Sequence, residues 1–326
     1  MKILIRLPNW LGDVVMSTAF VNAVVKLYPG SEINVIIKKE LAEIANLIPG
    51  IAHVYPFSKK EYPGLTGAYR FGKKLRAQKF DLFFNLPSSI SSTTLAWSSR
   101  ARKRIGYSNE GGSILLNNAY TKPLNLHRVN EYLWMLEQFN GITITDAIVK
   151  LETRKTASNS NKLVLINFNS EASSRKMPLL KAQQLLNTLT NTFKAYNFGL
   201  IGAKKESDFV GEIIEGVENP GNIHDFSGKT SLTGLAELMA GSKVLLTTDS
   251  GPAHLANSLN IPVIVLFGAG DEHNTAPFNT NNLHVIRAGQ LACEPCLSNT
   301  CKLYGVPKCL ELIETSKIIS ILNSYL

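Results

Sequence analysis

A carboxylate at the start of a helix, just after a buried strand, can cap the helix or act on a ligand, and this chain has two such turns. The first is Pro8-Asn9-Trp10-Leu11-Gly12-Asp13, after the apolar run at 2–7. Gly12 allows a tight turn and close approach of backbone to a ligand. Asp13 reads either as a cap for orphan N–H groups or as a general base that takes a proton from a substrate hydroxyl. The turn is not G-x-G-x-x-G, so it does not point to a dinucleotide cofactor. The second is Thr248-Asp249-Ser250-Gly251-Pro252-Ala253-His254-Leu255. Ser250 and Gly251 can offer hydroxyl and N–H groups to a phosphate, and Pro252 suits a first helical turn. His254 reads equally as a structural hydrogen-bonding group and as a phosphate or ribose contact. G-x-S-x-G is absent, which argues against an α/β-hydrolase.

Cations stand where an anion would need them. Arg175 and Lys176, in Ser173-Ser174-Arg175-Lys176-Met177-Pro178, are either a solvated surface or a partner for a departing diphosphate. Gly202-Ala203-Lys204-Lys205-Glu206 lies one strand later, with Glu206 a ribose contact or a helix cap. Arg100, Arg102, Lys103 and Arg104, supported by Lys73, Lys74, Arg76 and Lys79, form a basic run that is either a solvated face or an anionic acceptor site. No nucleic-acid-binding motif accompanies it, and no nucleic-acid partner is expected. The four cysteines, Cys293, Cys296, Cys301 and Cys309, are confined to one segment. In a reducing compartment such clustering reads as a structural zinc site, plain thiols or an oxidation-prone pair, and not as catalysis.

The elements that position these residues alternate. Strand-like runs at 2–7, 32–37, 52–57 and 81–86 are followed by helical patterns at 13–28, 40–47, 64–79 and 89–101. After a polar, aperiodic stretch at 152–162, strands at 163–168, 196–201, 243–247 and 262–267 alternate with helices at 178–193, 206–215, 231–241 and 251–259. Such alternation predicts an α/β fold of parallel sheets, and 326 residues are long for one core. The expected division is a domain at 1–155, a second at 156–309 and a terminal helix at 310–326. The expected ligand cleft lies at the carboxyl ends of the strands, where free N–H groups and the helix dipole favour anions.

The net charge of +9 comes wholly from the first half, which carries 21 Lys+Arg against 11 Asp+Glu up to residue 155. That asymmetry favours an acidic partner. The opening MKILIRLPNWLGD is broken by Arg6 and Pro8 and does not read as a signal peptide. No apolar run reaches the ~18 residues of a membrane span, so a cytoplasmic location is expected.

Taken together, K-I-L-I-R-L-P-N-W-L-G-D-V-V-M-S, R-I-G-Y-S-N-E-G-G-S-I-L-L-N and D-S-G-P-A-H-L-A resemble the ADP-heptose:lipopolysaccharide heptosyltransferases (glycosyltransferase family 9), and look more like heptosyltransferase II than I. The resemblance implies a GT-B fold, two Rossmann-like domains with a central cleft. The first would bind the acceptor, the second ADP-heptose, and the terminal helix would pack back on the first. It implies an inverting single displacement with Asp13 as base and Lys176 steadying the diphosphate. Arg175, Glu206, Asp249, Ser250, Gly251 and His254 would bind the donor. Asn9, Trp10, Gly12, Arg100, Arg102, Lys103 and Arg104 would line the acceptor side. It further implies a heptosyl-Kdo2-lipid A acceptor at the inner membrane face, with the enzyme peripheral to that membrane. No cofactor is expected, in keeping with the lack of a D-x-D motif, and no obligate protein partner. The rival readings are a relative with a first-heptose or protein acceptor, and a non-catalytic nucleotide-sugar or polyanion-binding protein.

Overall fold

Strands form where Ile, Leu, Val and Phe run together, because a parallel sheet covered on both faces needs apolar side chains on both. The computed structural model describes residues 1–108, 111–153 and 162–326, and the chain divides into two units, Met1–Glu152 and Thr153–Leu326. The polar stretch at 152–162 and the boundary expected after residue 155 fall mostly on residues 154–161, outside the described residues.

In the first unit β1 (Lys2–Arg6), β2 (Glu32–Lys38), β3 (Ile51–Phe57), β4 (Leu82–Asn85), β5 (Lys103–Tyr107) and β6 (Asn118–Tyr120) form one sheet. Its strand order is β3-β2-β1-β4-β5-β6, and every neighbouring pair is parallel. One face is sealed by Phe57, Phe71, Phe80 and Phe83 with Leu95 and Leu116. On the other, Phe84 meets Phe20 and Phe139 edge-on, at centroid distances of 5.2 and 5.6 Å. Those rings bring the helix Arg128–Asn140 against Thr18–Leu27. The first helical pattern is two helices, Leu11–Met16 and Thr18–Leu27, parted at Ser17, whose hydroxyl bonds back to the Val14 carbonyl.

The second unit repeats the plan. Its strands are β7 (Leu163–Asn167), β8 (Asn197–Leu200), β9 (Ile223–Asp225), β10 (Val244–Thr248), β11 (Val263–Phe267) and β12 (Leu283–Arg287). They order as β12-β11-β10-β7-β8-β9, all parallel. Read from the other edge, this is the same arrangement as in the first unit. Both sheets therefore reverse strand order once, at β1/β4 and at β7/β10, where the flanking loops diverge and leave room for a ligand.

The terminal helix corrects an expectation. The segment forms two short helices, Lys308–Glu311 and Thr315–Leu322. Leu310, Ile318 and Leu322 are buried in the second unit's core, beside Val244, Ile264 and Leu266. An apolar stripe must be buried, but it does not say against which sheet, and here its own unit takes it. Leu322→Ala should cost about 2–5 kcal/mol. Amide exchange should then quicken in β7, β10 and β11 while the first sheet keeps its protection; faster exchange in β1 and β4 instead would contradict this placement.

Candidate active site

At the first reversal point, Leu11–Met16 begins directly after β1. Its N-cap is Trp10, with no side-chain capping bond, so Asp13 in the first turn is not spent as a cap. The carboxylate turns instead toward the helix Arg128–Asn140. Tyr132 donates its hydroxyl to Asp13 Oδ1 at 3.4 Å, and Arg128 Nε lies 3.7 Å from the same oxygen. Arg128 is itself held by Glu131, with Nη1 3.1 Å from Oε1, and Lys122 stands 3.0 Å from Glu131 on the other side. Burial raises the Asp13 carboxyl above the usual aspartate range, against the opposing pull of Arg128. Burial also pushes the Tyr132 phenol well up, so it stays a proton donor. The result is a carboxylate of heightened basicity, open on one side. Asn9 accepts from Arg6 Nη2 at 2.6 Å and stiffens the turn, while Trp10 is exposed.

Arg128, Glu131, Tyr132 and Lys122 escape a reading by motif. Their signal is the spacing of Arg128, Glu131 and Tyr132, which sets three polar groups on one face of a helix's first turn. The chain between 103 and 150 shows little periodicity, and its strands are short.

The basic run is placed otherwise than expected. Arg100, Arg102, Lys103 and Arg104 precede or open β5, and so lie at the amino-terminal edge of the sheet, opposite Asp13. Arg104 is spent on the carbonyls of Leu115 and Ala101, both at 2.9 Å. Arg102 faces Asp81 at 3.5 Å. These residues therefore do not stand beside Asp13.

At the second reversal point the polar groups interlock. Asn167, ending β7, donates to Ser250 Oγ at 2.9 Å and Thr247 Oγ1 at 3.1 Å. Ser250 donates in turn to the Thr248 carbonyl at 3.0 Å. Its hydroxyl thus shapes the turn, while Gly251 opens the helix Gly251–Ser258, with Pro252 in the first turn and His254 buried. Asp249 is buried and paired with Arg175 Nη1 at 3.2 Å. Burial raises its carboxyl, opposed by Arg175 and Arg287. Arg287, ending β12, ties the loop after β11 together through the carbonyls of Gly268 and Gly270 and the carboxylates of Glu272 and Glu294. A side chain at Gly270 would collide with the Asp249 carboxylate unless that carboxylate shifted.

Lys176 follows the short turn Ser173–Arg175, and its ammonium rests on the Phe209 ring, 3.5 Å from the centroid. A cation held on an aromatic face is oriented yet not neutralised. Ser173 and Ser174 fasten the turn to the carbonyls of Asn299 and Ser298, at 3.2 and 2.5 Å. The cysteine-bearing segment thus braces the cationic loop. Glu206 takes its cap role, accepting from the Ala203 N–H at 2.7 Å.

The structure lends the zinc reading of the cysteine segment no support. Cys293, Cys296, Cys301 and Cys309 are free thiols that border one small cavity. Among the described residues, no three His, Cys, Asp or Glu side chains are grouped to hold a metal. Cys309 is buried beside Gly268, and burial pushes its thiol up to about 11. Cys296 faces solvent.

Comparison with known proteins gives this arrangement its context. Residues 68–306 match the model of glycosyltransferase family 9 (heptosyltransferase). Lipooligosaccharide heptosyltransferase 2 of Campylobacter jejuni strain 81116 is 25% identical, over 98% of this chain and 97% of the relative. Lipopolysaccharide heptosyltransferase 2 of Escherichia coli K12 is 24% identical, over 88% of each. The structure of E. coli ADP-heptose lps heptosyltransferase II superposes with a TM-score of 0.84 at 20% identity, covering 100% of this chain and 98% of that one. With two parallel-sheet units of the GT-B type, this chain belongs to glycosyltransferase family 9, the heptosyltransferases, and is a glycosyltransferase.

Proposed function

We propose that the protein transfers heptose from ADP-heptose to a heptosyl-Kdo2-lipid A acceptor, adding the second heptose of the lipopolysaccharide inner core with inversion. Asp13 carries this reading: an uncapped, partly buried carboxylate at a sheet reversal point, oriented by Tyr132 and Arg128. The choice of acceptor rests on the relatives named heptosyltransferase 2.

In this reading Asp13 takes the proton of the acceptor hydroxyl as its oxygen attacks the anomeric carbon. The bond from that carbon to the diphosphate oxygen breaks, and ADP leaves with its charge. Lys176, Arg175 and the N-terminus of Gly251–Ser258 stabilise that charge. Transfer requires the reacting atoms to come within about 3–3.5 Å. A lipid-borne acceptor implies work at the cytoplasmic face of the inner membrane. Among the described residues, no helix is long and apolar enough to cross it.

Asp13→Asn should lower kcat/KM about 10²–10⁴-fold, the range of a lost general base, in transfer to heptosyl-Kdo2-lipid A; full turnover by this variant would defeat the assignment. The base acts only when ionised, and burial raises its pKa. Activity should therefore fail as pH drops through a limb lying above the ordinary aspartate value of about 3.9. Lys176→Ala should lower kcat by about 10²-fold, as for a lost charge-stabilising donor. Arg102→Ala, at the opposite edge, should leave the acceptor KM within about twofold. Equal losses in these two variants would reverse the placement of the charged sites.

A further inference from the structure

The contacts around Asp13 contain an arrangement that general-base chemistry alone does not require. Arg128 points its Nε at Asp13 Oδ1, but at 3.7 Å it stops short of a charge-assisted hydrogen bond, which would lie near about 2.7–2.9 Å. That Nε is buried and, among the described residues, has no hydrogen-bond partner. What restrains the guanidinium is Glu131, whose carboxylate takes Nη1 at 3.1 and 3.4 Å. Glu131 is buried, and the Lys122 ammonium closes on its Oε1 at 3.0 Å. Its backbone is fixed too, because the Tyr107 hydroxyl donates to the Glu131 carbonyl.

We infer that Glu131 is a positioning residue for Asp13: by engaging Arg128 Nη1 and the Lys122 ammonium together, it holds Arg128 short of a closed ion pair with the Asp13 carboxylate. The inference rests on the reading of Asp13 as the base. A closed Arg128–Asp13 pair would orient the carboxylate well but would occupy the oxygen that must receive the proton, and would weaken it as a base. An absent Arg128 would leave the carboxylate poorly held. Glu131 sets the compromise. The ionisable groups facing Asp13 are Arg128, Glu131 and Tyr132 from the helix Arg128–Asn140 and Lys122 from the loop before it.

The test is the pH dependence of kcat/KM for heptosyl transfer in the wild type, Glu131→Gln, Arg128→Gln and the double variant. Glu131→Gln preserves side-chain volume but releases both cations. Arg128 should then close on Asp13, moving the acid limb down by about 1 unit and lowering the plateau rate. Arg128→Gln alone should move the limb up. In the Arg128→Gln background, adding Glu131→Gln should produce little further shift, because the second residue acts through the first. An equal shift in both backgrounds would reduce Glu131 to a through-space charge and overturn the inference. A lower rate with an unmoved limb would reduce it to a structural role, with the same consequence. If Asp13→Asn is inactive while Glu131→Gln leaves the limb unmoved, this inference alone falls. A fully active Asp13→Asn overturns the base assignment itself, and the inference with it.

Discussion

The reversal of strand order in each sheet is the constraint on which the rest of the structure depends. A parallel sheet delivers every strand's carboxyl end to one edge, and helix N-termini gather there with unsatisfied N–H groups. Where consecutive strands part to opposite sides, at β1/β4 and at β7/β10, the loops cannot cover that edge. Asp13 follows β1, the loop bearing Arg175 and Lys176 follows β7, and Asp249 follows β10. The residues with the most costly chemistry therefore stand where the backbone leaves space for substrate.

Holding charge at these edges requires shielding it without cancelling it. Asp249 is buried and survives by pairing with Arg175. An unpaired charge there would be strongly destabilising. Lys176 is handled by softer means, its ammonium lodged on the Phe209 ring. In the first unit, Asp13 is flanked by a cation that another carboxylate restrains. Each cluster is fixed by residues remote in sequence. Arg287 ties the loop after β11, and the rings of Phe20, Phe84 and Phe139 seat the helix that supplies Arg128.

Much of this could be read from the amino-acid order. Apolar runs such as LVLIN and VIVLF declare buried parallel strands, and the glycine turns after 2–7 and 243–247 mark both reversal points. Asp13 and the turn at 249–251 were visible for that reason. What failed was whatever depends on which edge or which partner a residue meets. The basic run at 100–104 looks like an anion site until β5 is seen to begin at Lys103, which turns the run to the far edge. The terminal apolar stripe does not name the sheet that buries it. Cysteine spacing does not report how the thiols sit around their cavity, and the Arg128–Glu131–Tyr132 face of the helix Arg128–Asn140 carries no motif that marks it.

The account assigns one reactant to each reversal point. Its most direct test is a crystal structure with a non-transferable ADP-heptose analogue. The account predicts the diphosphate against Lys176, Arg175 and the N-terminus of Gly251–Ser258, at the β7/β10 edge. A nucleotide bound at the β1/β4 edge beside Asp13, with the β7/β10 edge unoccupied, would contradict it.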